Sequence, residues 1–599
     1  MRFLAAASVL AISLAACGDQ TDTEIEDTAA ETGDAADSAE MNGDAMTEDG
    51  MAEEDMAAGE DDSEAIVQAA QAEVDNSVAE ITAEDVANRI EILASDAFEG
   101  RAPATPGGER TVEWVTQEMQ RIGLEPMSDA GYTQTVPLVE ATLDTAQSDF
   151  AIAGPDGDIS LQLGEDVVYW TKQMENEVSF EDSELVFIGY GSVAPEYDWN
   201  DYADMDWSGK TVVMLVNDPG FATEDPELFN GRAMTYYGRW TYKFEEAGRQ
   251  GPDAAIIIHE TEPASYGWSV VRNSWTGPQL SLETEDPKAK LEGWVTREKA
   301  EEMFTAAGLD LEELKEQAKE RGFSPVPMEG LTASGTVVSD VKRSESKNVG
   351  GVIRGSERPD EYVLYTGHWD HLGAQPADFG EDTIYNGAVD NASGTAGILE
   401  IGEKFAKRET PPARSVMILA VTAEESGLIG SDYFAQNPVV PLKDIVAGIN
   451  IDAMLPDSES RDMVVIGYGS SELEDMLAEV VEPMGKTLTP DPNAEAGYYY
   501  RSDHISLAKR GVPMLYAEGG EDLIEGGTEA GEAAAADYRA NAYHGVADEY
   551  DDSWDMSGIV ADLKILYQLG ENLADSESWP EWYDGSEFKA IREEQRASE

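Results

Sequence analysis

Short, almost entirely apolar segments recur between residues 362 and 516, and they limit the possible folds of this chain more than any other feature. Residues 362–366, 416–421 and 445–451 are each long enough for a strand and have few polar positions. The intervening segment 392–407 has the composition of a helix. A strand that is apolar on both sides must be covered on both faces. The alternation therefore predicts an α/β fold, with a central, mostly parallel mixed sheet flanked by helices.

Polar side chains follow three of these predicted strands. His368 comes after the first strand, Glu424 and Glu425 come after the second, and Asp452 comes after the third. Ligands of such sheets bind at the carboxyl ends of the strands. We therefore expect these side chains to lie together at one edge of the sheet.

The same part of the chain contains a set of side chains suited to two metal ions. Carboxylate oxygens and imidazole nitrogens suit Zn²⁺, and two ions that share a bridging carboxylate need about five protein ligands and a shared water. Each motif alone is weak, because a Glu-Glu pair is usually a solvated helix end. Their joint occurrence after buried strands indicates a metal site. The six side chains are His368, Asp390, Glu424, Glu425, Asp452 and His544.

These motifs resemble those of the two-zinc exopeptidases, a family that includes bacterial secreted aminopeptidases and glutamate carboxypeptidase II. The resemblance extends from about Ile81 to the C-terminus, with an insertion inside it, and no ligand position is missing. The matching stretches are Thr366–Asp370, Asn386–Gly394, Ala423–Ser431, Asn450–Met454, Ser502–His504 and Tyr543–His544.

The resemblance implies a role for each ligand. His368 and Asp452 are expected to bind one zinc ion, Glu425 and His544 to bind the other, and Asp390 to bridge the two. It thus implies two zinc ions per chain as cofactors.

The resemblance also implies how the site acts. Glu424, beside a ligand but not one itself, is expected to be the general base. The Tyr543 hydroxyl is either a donor to the oxyanion or part of a packing aromatic, and both interpretations stay open. Family members have a non-proline cis peptide after the bridging residue, which is expected here at Asp390–Asn391.

Other polar residues near the motifs are assigned supporting roles. Asp370 lies two residues after His368 and is predicted to accept the ring proton that the metal does not use. Ser502–His504 is predicted to support the pocket wall. His371 is predicted to be structural, and His259 is predicted to be a structural or surface histidine.

Residues 136–330 differ from the flanking sequence. Short β-rich runs, such as 185–191, 211–216 and 254–258, are separated by Gly, Asp and Pro, and residues 241–249 have a helical pattern. This block resembles a protease-associated domain, a non-catalytic insertion of several secreted exopeptidases. We expect a separate β-rich unit.

The chain is strongly acidic. Its 599 residues include 122 Asp and Glu but 39 Lys and Arg, a formal net charge of −83. This charge argues against nucleic acid and anionic membrane surfaces as partners. Residues 18–88 contain 24 acidic and no basic residues, so most of this segment is predicted to be a disordered tether.

The N-terminus resembles a bacterial lipoprotein leader. Arg2 precedes an apolar run, Phe3–Leu14, that is too short to span a bilayer. Leu14-Ala15-Ala16-Cys17 then resembles a lipoprotein processing site. We expect a lipid anchor at Cys17 and a location in the cell envelope, facing the periplasm or exterior. An ordinary signal peptide is the alternative.

These patterns divide the chain into six segments. A chain of this length is sufficient for two or three domains with sizeable cores. The segments are a lipoprotein signal peptide (1–17), an acidic tether (18–78), a first part of the catalytic domain (79–135), a protease-associated insertion with a helical closing segment (136–330), the zinc-binding part of the catalytic domain (331–580) and a charged C-terminal tail (581–599).

The sequence thus predicts a metallo-aminopeptidase, a hydrolase that removes N-terminal residues from peptide substrates. Glu518 and Glu521 are candidates to receive a terminal ammonium group. A carboxypeptidase of the same family is the first alternative, with Arg501 as the candidate for a terminal carboxylate. A glutaminyl cyclase on a related single-zinc fold and a receptor-like relative are further alternatives. The number of bound zinc ions separates them.

Overall fold

The structure is a computed structural model that describes residues 56–203, 205–284, 286–375 and 382–597. The predicted signal peptide, Cys17 and the tether up to residue 55 lie outside the described residues. Among the described residues, no helix combines the length and the apolar composition needed to cross a membrane.

Helices of eight or more residues and strands of four or more are named in chain order. The helices are α1 (Met56–Val74), α2 (Ala83–Leu93), α3 (Pro106–Ile122), α4 (Trp240–Gln250), α5 (Arg297–Ala306), α6 (Leu311–Ala318), α7 (Gly394–Ala406), α8 (Ile429–Gln436), α9 (Leu473–Val481), α10 (Thr528–Asn541), α11 (Ser557–Asp575) and α12 (Lys589–Ala597). The strands are β1 (Thr133–Leu143), β2 (Asp149–Ala153), β3 (Val167–Trp170), β4 (Glu177–Phe187), β5 (Lys210–Leu215), β6 (Ala254–His259), β7 (Pro278–Leu282), β8 (Leu291–Thr296), β9 (Val326–Ile353), β10 (Arg358–His368), β11 (Arg414–Val421), β12 (Ile445–Asn450), β13 (Asp462–Ile466), β14 (Thr487–Pro490) and β15 (Met514–Gly519).

The sheet that carries the predicted ligands has the order β14-β13-β15-β12-β10-β11-β9. Its central strands β15, β12, β10 and β11 are parallel to one another. Strand β13 is antiparallel to β15, and β9 is antiparallel to β11. His368 pairs with Val421, and Thr366 pairs with Asn450. The carboxyl ends of β10, β11 and β12 are therefore level, which confirms the predicted mostly parallel mixed sheet.

Strand β10 shows why this sheet needs apolar residues on both sides. Val363 and Tyr365 are fully buried on one face, against residues of α2, α7 and α11. Leu364, equally buried, points to the other face, where it packs with Phe434 of α8. Successive side chains of a strand alternate between faces, so helices cover the sheet on both sides, as predicted.

The inserted segment forms a second set of strands. Strands β4, β5, β6 and β8 are parallel to one another, with antiparallel β3 and β9 at the two sides. The 28-residue strand β9 continues from this set into the sheet of the metal site, so the predicted boundary at residue 330 falls inside a strand. The predicted β-rich unit is present, and its identity as a protease-associated domain stays a prediction.

The prediction of a disordered tether up to residue 78 is wrong for its last part. Helix α1 covers residues 56–74, and its Ala70 and Val74 side chains are buried. Gln71 accepts a 2.7 Å hydrogen bond from the Trp114 indole. Ser77 donates to both carboxylate oxygens of Glu403, at 2.8 and 2.9 Å. The prediction failed because it rested on the acidic composition and did not consider the apolar residues that recur at helical spacing.

The predicted charged C-terminal tail packs against the catalytic part in its described residues. Trp582 and Phe588 are buried, and the Trp582 indole donates to the Gly511 carbonyl at 3.0 Å. Arg592, in α12, donates to the Ile445 carbonyl at 2.7 Å. The segment is anchored because two of its few aromatic residues pack into the core of the catalytic part.

Candidate metal centre

The predicted ligands come together at the carboxyl edge of the central strands. His368 is the last residue of β10, Glu424 and Glu425 follow β11, and Asp452 follows β12. Asp390 lies in the turn before α7, and His544 comes shortly after α10. The structure therefore brings every predicted ligand to one place, as the strand positions indicated.

Asp390 lies between the two histidines. Its Oδ1 atom is 3.2 Å from His368 Nε2, and its Oδ2 atom is 3.2 Å from His544 Nε2. The Asp390–Asn391 peptide is cis, as the resemblance implies. The backbone N–H groups of Val389 and Asp390 donate to the Asp548 carboxylate at 2.9 and 3.0 Å. One carboxylate thus offers a different oxygen to each half of the site.

The turn around Asp390 depends on close backbone packing. A Cβ atom at Gly394 would lie 2.5 Å from the Ile451 carbonyl oxygen, so only glycine fits at the start of α7. The Arg101 guanidinium, fully buried, donates to the carbonyls of Trp369 and Gly387 at 2.9 and 2.8 Å. Arg101 thereby joins the segment after β10 to the segment that carries Asp390.

The first half of the site contains His368 and Asp452. His368 Nε2 is 3.1 Å from Asp452 Oδ1. The other Asp452 oxygen accepts a 2.6 Å hydrogen bond from Ser502, whose hydroxyl also accepts a 2.7 Å bond from Asn450. Ser502 therefore fixes Asp452 with one oxygen toward His368, which agrees with the predicted supporting role of the Ser502–His504 segment.

The second half contains Glu425 and His544. His544 Nε2 is 3.0 Å from Glu425 Oε2, and the buried His371 Nδ1 is 2.6 Å from Glu425 Oε1. His371 thus lies against a predicted ligand, and its assignment as structural stays a prediction. His259 lies away from the site, buried and hydrogen-bonded to the Tyr266 carbonyl at 3.0 Å.

The prediction for Asp370 is wrong about the atom that meets His368. His368 Nδ1 lies 3.1 Å from the Asp370 backbone carbonyl and 3.9 Å from its carboxylate. The carboxylate instead accepts a 3.1 Å hydrogen bond from the Glu424 backbone N–H. The backbone turn after β10 brings the carbonyl to the ring first, so the carboxylate is left to position Glu424.

The donor set fits divalent cations. Two overlapping groups have ligand atoms within 4.8 Å of one another: His368, Asp390 and Glu425, and His368, Glu424 and Asp452. Burial raises the pKa of Glu424 well above its usual range; the His368 charge opposes this shift, and the Asp452 and Glu425 charges add to it. Several carboxylates crowded out of water in this way require cations to stay charged.

Glu424 belongs to the group that contains His368 and Asp452. Its carboxylate is 3.9 Å from His368 Nε2, whereas that of Asp452 is 3.1 Å away. The role of Glu424 beside the metal shell stays a prediction.

Tyr543 lies at the mouth of the site. Its ring stacks on His544 with centroids 3.9 Å apart and an interplanar angle of 24°. The residue as a whole is 49% exposed, and it lines the cavity of the site. The stacking supports a packing role for the Tyr543 ring, and the interpretation of the hydroxyl as a donor to the oxyanion stays open.

A large cavity opens onto these residues. Its volume is about 1380 Å³, and it is lined by Asp390, Glu424 and His544 as well as by Glu518 and Arg501. Residues of the insertion, among them Arg239, form another part of its wall. The cavity is large enough for a short peptide.

Sequence reasoning missed two residues that shape the site. Asp548 is one of 122 acidic residues, and nothing in its surroundings distinguishes it. Arg101 follows Gly100, which has a positive φ of 65°. The Glu99-Gly100-Arg101 sequence signals a turn, but it does not indicate that the arginine points inward.

Comparisons with known proteins agree with this site. Residues 348–567 match the model of Peptidase family M28, and this segment contains every predicted ligand. The match confirms the resemblance to the zinc exopeptidases inferred from the sequence.

Individual relatives align over short parts of the chain. A probable zinc metalloprotease of Pyrenophora tritici-repentis is 37% identical over 110 residues, 18% of this chain and 24% of the relative. Aminopeptidase NAALADL1 of Mus musculus is 39% identical over 112 residues, 18% of this chain and 13% of the relative. A probable glutamate carboxypeptidase AMP1 of Arabidopsis thaliana is 30% identical over 163 residues, 26% of this chain and 20% of the relative. The chain spans less than a quarter of the length of each of these relatives.

Among solved structures, the aminopeptidase from Aneurinibacillus sp. strain AM-1 is similar, with a TM-score of 0.46 and 17% identity. The match covers 83% of this chain and 95% of the other.

Proposed function

We propose that this protein is a zinc-dependent exopeptidase that removes N-terminal residues from peptides. The observation that carries the proposal is the position of Asp390, with one oxygen 3.2 Å from each of His368 and His544. A carboxylate placed in this way suits two adjacent metal ions that share it. The family match and the names of the relatives, which include zinc metalloproteases and an aminopeptidase, support the same class of reaction.

His368 and Asp452 would hold one zinc ion, Glu425 and His544 would hold the other, and Asp390 would contact both. When bound, the two ions supply Lewis-acid polarisation and lower the pKa of a water molecule toward neutrality.

Glu424 carries out the proton transfers in this proposal. Its carboxylate takes the proton of the attacking water and delivers it to the departing amine, a step that requires a carboxyl group held close to the reacting atoms. Asp370 fixes the Glu424 backbone, and the hydroxyl of Tyr543, a residue of the cavity wall, donates to the developing oxyanion.

Recognition of a free amino terminus fits the acidic end of the cavity. Glu518 lies in the cavity wall, and burial, followed by the negative charge of Asp452, raises its pKa to about 8. A substrate ammonium group beside Glu518 would offset these unfavourable terms and stabilise the charged carboxylate.

A peptide panel tests the proposal. The zinc-loaded protein should hydrolyse amino-acid anilides and peptides with a free amino terminus, and acetylation of that terminus should abolish hydrolysis. Glu424→Gln serves as the inactive control. Faster cleavage of N-acetylated peptides with a free carboxyl end would replace the aminopeptidase by a carboxypeptidase with the same metal centre.

We also propose that Cys17 carries a lipid anchor that holds the protein at the cell envelope. The Leu14-Ala15-Ala16-Cys17 sequence supports this. The full chain expressed in a bacterium should sediment with membranes, and Cys17→Ala should abolish lipid labelling. Unlabelled wild-type protein in the soluble fraction would contradict the anchor.

A further inference from the structure

The two predicted ligand histidines are held in different ways. His368 ends a buried central strand and is 1% exposed, whereas the His544 side chain is 38% exposed. Of residues 541–549, all of which the structure describes, Asp548 is the only buried one. His544 also has a φ of 54°, a left-handed conformation that is unfavourable for a residue with a Cβ atom. The position of His544 therefore depends on contacts that other residues of its segment make.

Asp548 fixes this segment to the turn that carries Asp390. Its carboxylate accepts hydrogen bonds from the N–H groups of Val389 and Asp390, at 2.9 and 3.0 Å. Its backbone carbonyl accepts a third bond from the Ala388 N–H, at 3.0 Å. Asp548 is 2% exposed, so water competes little for these bonds. Three hydrogen bonds thus join the segment of one predicted ligand to the backbone of another.

Tyr538, in α10, closes the segment on its other side. Its hydroxyl donates to Asp548 Oδ2 at 3.1 Å, an oxygen that also accepts one of the backbone N–H groups. The Tyr538 carbonyl accepts a 2.9 Å hydrogen bond from the Tyr543 N–H, and the Tyr543 ring stacks on His544. Both ends of the segment 538–548 therefore meet at one carboxylate, with His544 between them.

The three donors that surround the Asp548 side chain require a carboxylate. Two backbone N–H groups and one hydroxyl point at its two oxygens, and an ionised carboxylate offers acceptors only. An asparagine would place an NH₂ group against one of these donors. The contacts therefore fix the side chain in one orientation, and with it the 3.2 Å separation of Asp390 Oδ2 and His544 Nε2.

The other half of the site has a separate support. Ser502 fixes Asp452 through a 2.6 Å hydrogen bond, and His368 is the last residue of a central strand. The hydrogen bonds of Asp548 go instead to the turn around Asp390 and to its own segment. A change at Asp548 should therefore affect the two halves of the site unequally.

We propose that Asp548 is a positioning residue that holds His544 at the distance from Asp390 at which both can bind one metal ion. Tyr538 supports it by fixing one oxygen of its carboxylate. The inference rests on the proposed two-zinc exopeptidase function. Loss of the Asp548 carboxylate should weaken the binding of one zinc ion more than that of the other.

Zinc titration tests the positioning role. The full chain loaded with zinc is titrated with a chromophoric chelator, which gives a dissociation constant for each ion. Asp548→Ala should weaken one ion about 10–100-fold, because its ligands lose their fixed separation, and the other by less than about threefold. Asp548→Asn retains one acceptor oxygen and Tyr538→Phe removes one donor, so both should shift the same ion by a smaller factor.

A matched variant and the zinc-free proteins control for charge and folding. Glu549→Ala removes the exposed carboxylate that comes next in the chain and should leave both dissociation constants unchanged. The melting temperature of each zinc-free variant reports on folding, and if Asp548→Ala does not fold, Asp548→Asn and Tyr538→Phe decide. Unchanged zinc affinities in the folded variants, or an equal loss of both ions, would overturn the positioning role.

Peptide hydrolysis by the same samples separates failure of the positioning role from failure of the proposed function. If the wild type binds two zinc ions but hydrolyses no peptide, and Asp548→Ala releases one ion selectively, the positioning role stands and the exopeptidase proposal fails. If peptides are hydrolysed and Asp548→Ala keeps both zinc affinities, the positioning role is wrong. Fewer than two zinc ions in the wild type would overturn both proposals.

Discussion

The Asp370 carboxylate accepts a 3.1 Å hydrogen bond from the Glu424 backbone N–H, so the segment after β10 positions the proposed base that follows β11. Asp370 is fully buried, and its position is fixed by the turn that also directs its carbonyl to His368. The contact therefore connects the two strand ends through the proposed base rather than through a predicted metal ligand.

Removal of the Asp370 carboxylate should affect turnover more than metal binding. Asp370→Ala should lower kcat about 10–100-fold at saturating zinc, because Glu424 loses the acceptor that positions its backbone. Asp370→Asn retains an acceptor oxygen and should lose less. A tenfold weaker zinc affinity with unchanged kcat would show that Asp370 acts on His368 instead.

Glu424 and Glu425 should respond differently to the same substitution. Glu424→Gln should keep the bound zinc and lower turnover by about 10²–10⁴-fold, because proton transfer is lost. Glu425→Gln should lose zinc, since the charge that faces His544 at 3.0 Å is removed. Zinc analysis and steady-state kinetics on both variants check this. Retention of zinc by Glu425→Gln and loss by Glu424→Gln would mean that the roles are exchanged.

Glu403 should make the fold sensitive to acid. Burial opposes ionisation of Glu403, but the ion pair with Arg89 and the hydrogen bonds from Lys407 and Ser77 lower its pKa to about 2 from an ordinary value of 4.5. A depressed pKa stabilises the fold above pH 4.5, and this stability is lost as the pH falls from about 4.5 toward 2.

Glu403→Gln should therefore lower the free energy of unfolding at pH 7 by about 3 kcal/mol, because Arg89 stays buried with one carboxylate fewer. Thermal melts at pH 7 and pH 3 measure this. The difference between wild type and variant should shrink at pH 3, and Glu329→Gln, an exposed substitution, provides the control. An equal difference in stability between the wild type and Glu403→Gln at pH 7 and at pH 3 would contradict the proposed role of the Glu403 charge.

Truncation should separate the two parts of the acidic N-terminal region. The described residues from 56 to 597 form one compact unit, so deletion of residues 1–55 should leave the melting temperature and peptide hydrolysis unchanged. Deletion of residues 1–78 removes the buried Val74 and the Gln71–Trp114 hydrogen bond, and should destabilise the protein by about 2–4 kcal/mol. Equal melting temperatures for the two truncations would show that α1 contributes nothing.

The part of the site that can be predicted from sequence is the part that residue type alone identifies. Apolar strands such as β10 and the histidines and acids that follow them can be recognised one by one, and the level ends of parallel strands bring them together. Asp370 shows the limit: the sequence places it beside His368, but whether its carbonyl or its carboxylate meets the ring depends on the backbone turn. Arg239 could not be assigned to the cavity wall from sequence, because its place there depends on how the insertion packs on the catalytic part.

Local composition is a poor guide where a few apolar residues determine whether a segment packs against the core. In α1, Ala70 and Val74 face the core four residues apart within a segment that has several acidic residues and no basic one. At the C-terminus, Trp582 and Phe588, which precede α12, are buried among charged residues. Average charge predicts solvation, whereas a few apolar side chains that face the core are what pack such a segment against it.

The zinc content of the purified wild-type protein tests the central claim most directly. Metal analysis after dialysis against zinc-buffered solution should give two zinc ions per chain, and Asp390→Asn should reduce both, because each oxygen of Asp390 lies 3.2 Å from a different histidine. One zinc ion per wild-type chain would indicate a single-metal enzyme of the cyclase type. The absence of bound zinc in folded wild-type protein would contradict the account.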